Sequence, residues 1–90
     1  MLFMVIERFP HHDPRPVYRH LRDHGRGMPD GLRFVDSWAE PGFGRCFQVM
    51  ECDDVTPLQA WVANWEDLTE FEVVPVVAGS GVGDAVRRLE

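Results

Sequence analysis

Residues 56–78 read TPLQAWVANWEDLTEFEVVPVVA, and two different periodicities meet inside that stretch. Leu58, Trp61, Val62, Trp65 and Leu68 recur at the three- and four-residue spacing that puts apolar side chains on one face of a helix. Thr56 and Gln59 match a capping box, and Pro57 fits the first helical position, where its missing N–H costs nothing. After Thr69 the pattern becomes EFEVVPVVA, a β-rich run of strand length. Pro75 decides where that strand belongs. Proline cannot donate to a sheet ladder, so the strand is expected at an edge.

Working outward, the same helix–strand alternation appears upstream. LFMVIERF at residues 2–9 predicts a strand. DPRPVYRHLRDHGRG predicts a helix, with its prolines at the start, Val17, Tyr18, Leu21 and Met28 on one face, and Gly25 or Gly27 at the end. MPDG is turn chemistry. LRFVDSWA at 32–39 predicts a second strand, EPGF a tight turn, and residues 44–52 a third strand. The order is β-α-β-β-α-β, an α+β ferredoxin-like sandwich. Right-handed crossovers place strands one and three in the centre of a four-stranded antiparallel sheet, with both helices on one face. Residues 1–78 form this domain, and 79–90 form a flexible tail or a short C-terminal helix.

Ninety residues make one domain with a small core, burying roughly 60–65% of the surface that the unfolded chain exposes. A partner, a disulfide or a metal commonly supports chains of this size. Hydrophobic content of 44% against 27% charged residues fits a folded protein. The formal net charge of −6 argues against nucleic acid and against an anionic membrane as partners. All nine basic residues other than histidine are arginine. MLFMVIERF lacks a basic leader and meets Glu7 after six apolar residues, so a cytoplasmic protein with reduced thiols is expected.

Two helices cover only one face of the sheet, so the opposite face should be polar. It is not. Leu2, Met4 and Ile6 occupy one parity of the first strand, and Phe3, Val5 and Phe9 occupy the other. The fourth strand sets Phe71, Val73 and Val77 against Val74 and Val76. A second apolar face calls for a cover, and a second copy of the chain is the economical one.

The runs MLFMVIERF, Y-R-x-L-R-x-x-G-R-x-x-P-x-G-L-R-F-V-x-S-W from Tyr18, RCFQVMECDD and EFEVVPVV together resemble a short bacterial domain-of-unknown-function family. That family falls within the dimeric α/β-barrel superfamily of ferredoxin-like proteins, and the resemblance covers residues 1–78. It implies a homodimeric barrel and no particular activity. The superfamily includes small oxygenases, haem-degrading enzymes, lactone isomerases, chlorite dismutases and ligand-binding regulatory domains, and fold alone does not choose among them.

Several chemical motifs are tempting. Cys46 and Cys52 are six residues apart on one strand, about 20 Å, too far for an intrachain disulfide or a shared zinc ion. They read as small buried hydrophobes. Asp53 and Asp54 favour the N-terminus of the second helix. His20 and His24 have chelating i, i+4 spacing but no third ligand in the pattern. His24 falls on the apolar face and becomes a pocket candidate. Arg15, Arg19, Arg22 and Arg26 form a stripe opposite that face, read as a solvated helix surface. Gly79, Gly81 and Gly83 have the wrong spacing for a dinucleotide loop. No metal or cofactor is therefore expected.

What remains is polar residues within apolar strands: Glu7, Asp36 and Gln48, with Trp38 on the parity of Phe34 and Asp36. The pocket candidates are Glu7, His24, Asp36, Trp38 and Gln48. The register of the second hairpin decides whether Asp36 and Gln48 share a face. The resulting expectation is a homodimer that holds a small, partly apolar metabolite, with cofactor-independent oxygenase or isomerase chemistry. The alternative is a non-catalytic interaction or regulatory dimer.

Overall fold

A computed structural model describes residues 1–90. The strands are β1 (Leu2–Arg8), β2 (Arg33–Ala39), β3 (Arg45–Glu51) and β4 (Glu70–Val76), and the helices are α1 (Arg15–His24), α2 (Thr56–Trp65) and α3 (Val82–Arg87). The sheet is antiparallel in the order β2-β3-β1-β4. β1 and β3 are central, and Pro75 lies on an edge strand, as the ladder argument requires.

Alternation along β1 and β3 sorts the sheet into two faces. Phe3, Val5, Cys46 and Met50 are buried on the face that also receives Leu58, Trp61 and Trp65 of α2 and Val17 of α1. This is the core. Leu2, Met4, Ile6, Phe47 and Val49 point the other way and are only half-buried.

The ends of the helices differ in detail from the sequence reading. The capping box at Thr56 does not form. Val55 occupies the cap position, and the Asp54 carboxylate accepts from the Thr56 N–H at 2.8 Å. A carboxylate there satisfies an orphan donor and opposes the positive helix end, so its pKa is lowered by those hydrogen bonds. α1 stops at His24, where Gly25 takes φ +73° and its N–H reaches the Leu21 carbonyl at 2.8 Å. Arg26 therefore lies beyond the helix and is not part of the arginine stripe. His24 is exposed, and the half-buried histidine is His20. Its ring stands edge-on to Trp65 with centroids 4.8 Å apart.

One irregularity in β2 matters for everything that follows. Phe34 pairs with Met50, but Asp36 pairs with Val49, leaving Val35 as an extra residue in the strand. This β-bulge reverses the phase of the strand. Ser37 comes opposite Gln48, whereas Asp36 and Trp38 turn to the face of Val49 and Phe47, away from Phe34.

The candidate functional site, a carboxyl beneath two indoles

Three strand positions build the floor of a cavity between the sheet and α1. Glu7 of β1 stands directly opposite Cys46 of β3, and Gln48 is two residues along β3 on the same face. All three are buried, with Glu7 only 5% exposed. Val17, Tyr18 and Leu21 of α1 form one wall, and Trp61 and Trp65 of α2 another. Phe9, Arg26 and Ser37 complete the lining of a space of about 110 Å³.

Arg26 is held there by its backbone as much as by its side chain. Gly25 and Gly27 on either side both have positive φ, +73° and +69°, which turns the chain sharply around it. The Arg26 carbonyl accepts two indole N–H bonds, from Trp61 and from Trp65, each at 2.9 Å. Its guanidinium lies 3.7 Å from the centre of the Phe34 ring and donates from Nη1 to Gln48 Oε1 at 2.8 Å. Gln48 in turn donates through Nε2 to Glu7 Oε1. The result is a relay from guanidinium to amide to carboxyl in which each group is oriented by the previous one.

The electrostatics follow from burial. Desolvation raises the pKa of Glu7, and hydrogen bonds from Gln48 and Cys46, with the Arg26 charge, pull it part of the way back. The Cys46 thiol is pushed up to about 11 by its own desolvation and by the Glu7 charge beside it. Tyr18 is also raised, first by desolvation and then by the charges of Cys46 and Glu7. Cys46 is thus a poor nucleophile, because the thiolate is the reactive form. No buried side-chain nitrogen or oxygen lacks a hydrogen-bond partner. No group of three or more His, Cys, Asp or Glu side chains converges as a metal donor set.

Of the five residues singled out by sequence, the fold brings two together, Glu7 and Gln48. Asp36 and Trp38 lie on the opposite face because of the bulge, and both are exposed; the Asp36 carboxylate accepts from the Ser37 N–H at 2.8 Å. His24 is exposed at the end of α1 and is absent from the cavity lining. Sequence reasoning missed Arg26, Cys46, Tyr18, Ser37 and the two indole N–H groups. A signal for Arg26 was present in Gly25-Arg26-Gly27, since paired glycines permit the left-handed turns that aim it inward. Cys46 was legible as buried but not as the neighbour of Glu7.

No curated protein and no solved structure matches the chain. No helix is long and apolar enough to cross a membrane. A family model for the DUF3303 domain of unknown function matches residues 1–90, so the match takes in α3 and the tail as well as the sheet, and the chain belongs to the DUF3303 family.

Proposed function

We propose that the chain acts as a homodimer, each copy holding a small, partly apolar metabolite in the cavity above Glu7 and moving a proton on it. The carrying observation is the buried Glu7 carboxyl on the cavity floor, with a pKa raised by desolvation. A 90-residue domain has little stability to spare for a buried acid. A carboxyl whose pKa is raised by burial holds its proton more readily than an exposed one, which suits acid–base work. The indoles and Tyr18 suit a small ring or planar carbonyl compound, and the Ser37 hydroxyl and Arg26 suit its oxygen.

The chemistry in this reading is carbon-acid proton transfer. The Glu7 carboxylate takes a proton from carbon next to a carbonyl. The C–H electron pair becomes the C=C bond of an enolate, and the carbonyl π pair moves onto oxygen. Arg26 and Ser37 stabilise that oxyanion. Where the substrate is a β,γ-unsaturated carbonyl compound the intermediate is a dienolate, and Glu7 returns the proton to its γ carbon as the oxyanion pair re-forms the carbonyl and the C=C shifts into conjugation, which completes an isomerisation. With dioxygen as co-substrate the carbanion gives up its electron pair to form a C–O bond, oxygen is reduced to the peroxide level, and the proton held by Glu7 passes to the peroxide anion to give a hydroperoxide, which is the oxygenase variant.

The test uses phenol, benzoate and cyclohexanone as probes. Saturable changes in indole emission report binding, and NMR in D2O reports exchange of the α protons of cyclohexanone. The expected result is exchange that Glu7→Gln slows by about 10²–10⁴-fold, the usual contribution of a positioned acid–base group. Absence of saturable binding by any probe, or equal exchange in both proteins, overturns the catalytic reading. One observation favours the alternative, a non-catalytic regulatory or interaction dimer. Every buried polar side-chain atom is already satisfied within the chain, as a purely structural network would be.

A further inference from the structure

We propose that the C-terminal arm, residues 77–90, crosses to a second copy of this chain and lays Val82, Val86 and Leu89 into that copy's groove between α2 and β4. The inference rests on the homodimer reading above and specifies how the two copies are joined.

The arm is unsupported within its own chain. Every residue from Val77 to Glu90 is exposed, Leu89 at 86% and Val77 at 79%. α3 has six residues, too few for a helix to persist in water without packing. Val82, Val86 and Leu89 nevertheless repeat at i, i+4 and i+7, one apolar stripe. Asp84 and Arg87 pair on the opposite side of the helix. The Cα radius of gyration is 15.1 Å, against about 12 Å for a compact chain of this length. The longest dimension is 50 Å and the shortest 17 Å, so the arm projects from a thin two-layer body.

The groove has the complementary character. Val55, Leu58, Val62 and Val73 line an open space of about 330 Å³ along α2 and β4, with Glu66 at its far end. An arm lying parallel to α2 sets its C-terminal end, with Arg88, toward Glu66 as its valines reach Val55 and Val62, while Arg87 stays paired with Asp84 on the outer side.

Area favours a second copy over the arm's own groove. Seven residues on four strands make a face of about 19 by 23 Å, so two flat sheet faces bury only about 900 Å² in total. A stable interface ordinarily buries about 1,600 Å². Exchanged arms add on the order of several hundred Å². The groove lies on the helix side, since Val73 stands opposite the core residue Val5, and the arm leaves the sheet at the end of the edge strand β4, free to pass round the edge of a second copy that covers the open face.

The experiment uses full-length chains. Sedimentation first establishes whether the wild type is a dimer at micromolar concentration; a monomer there overturns the dimer reading and this inference with it. Val62→Cys and Val86→Cys proteins are then mixed and briefly oxidised, with wild type as the control for the buried native thiols. The expected result is a disulfide-linked pair in the mixture only. Val86→Asp with Leu89→Asp is expected to weaken dimerisation about a hundredfold with an unchanged circular dichroism spectrum, since it drives carboxylates into an apolar groove. A chain carrying both cysteines that links within itself at monomer mass, with no link in the mixture, overturns the exchange and leaves the dimer standing. No link in either format also overturns it.

Discussion

The two faces of the sheet use nearly the same amount of apolar side chain to different ends. On the helix side, β1 and β3 contribute Phe3, Val5, Cys46 and Met50, and the polar positions between them, Glu7 and Gln48, are buried and bonded to each other. On the open side the same strands contribute Leu2, Met4, Ile6, Phe47 and Val49, half-buried, with the charged residues Arg8, Arg45 and Glu51 at their ends. A polar residue costs free energy wherever it loses water without a partner. One face accepts that cost in its middle, where a cavity lies, and the other keeps its two central strands apolar between their ends, with the charged Asp36 and Glu72 on the edge strands beside Val49 and Ile6. The first arrangement suits a site and the second suits an interface.

The largest effect should come from the wall of the site. Trp61 is 2% exposed, packs edge-on against Phe71 and donates to the Arg26 carbonyl. Trp61→Ala removes the packing and the tether together, and large-to-small changes of this kind cost about 3–5 kcal/mol. A chain of 90 residues has about 5–13 kcal/mol in all. Urea unfolding should therefore show a variant near the edge of folding. A loss below about 1 kcal/mol would mean that this face is less tightly built than its burial implies.

Next comes a charge at the centre of the open face. Phe47→Asp sits among half-buried apolar side chains, with its Cα opposite Ile6 and Trp38. In a lone protomer the aspartate reaches water and the fold survives. In a face-to-face dimer it meets its own copy in an apolar setting, and association should fall by at least about a hundredfold. Light scattering and circular dichroism on one sample separate the two cases. A variant that stays dimeric puts the interface elsewhere.

The third prediction concerns pH and turns on Glu7. Its folded pKa is raised, so the folded state holds its proton more tightly than the unfolded state does. Stability is then complete below the unfolded carboxyl value and falls as pH rises through the folded value. Glu7→Gln imitates the protonated form and removes that loss. Its melting temperature should exceed the wild type's at pH 8, the gap closing toward pH 4, with about 4–8 °C expected for each kcal/mol recovered. A variant less stable than wild type at every pH would mean that the carboxylate's bonds to Gln48 and Cys46 outweigh its desolvation.

These differences were unequally visible in the sequence. Element order and the central strands followed from periodicity and Pro75, because each helix and strand carries its own apolar spacing. The pairing of Glu7 with Gln48 was half-legible: both interrupt apolar strands, but only the β1/β3 register makes them neighbours. Asp36 and Trp38 were misplaced for one reason. Strict alternation from Phe34 sets them on the helix side, and a single extra residue at Val35, with no glycine to announce it, carries them across. His24 keeps the helical spacing of Val17 and Leu21 but is the last residue of α1, and there its side chain is exposed instead of facing the cavity.

That misplacement leaves the three tryptophans divided between the faces, which supplies the finest test of the comparison. Trp61 and Trp65 are buried, and their indole N–H groups share one carbonyl. Trp38 is 55% exposed in the single chain and stands opposite Phe47 on the open face. If a second copy covers that face, Trp38 is shielded from acrylamide in the dimer and freed on dilution, while the other two change little. Trp38→Phe should remove the concentration dependence at a stability change below about 1 kcal/mol, since a half-exposed ring has little packing to lose. Equal quenching of Trp38 in concentrated wild type and in the Phe47→Asp variant would show that the open face stays wet, and the contrast between a site face and an interface face would then lose its second half.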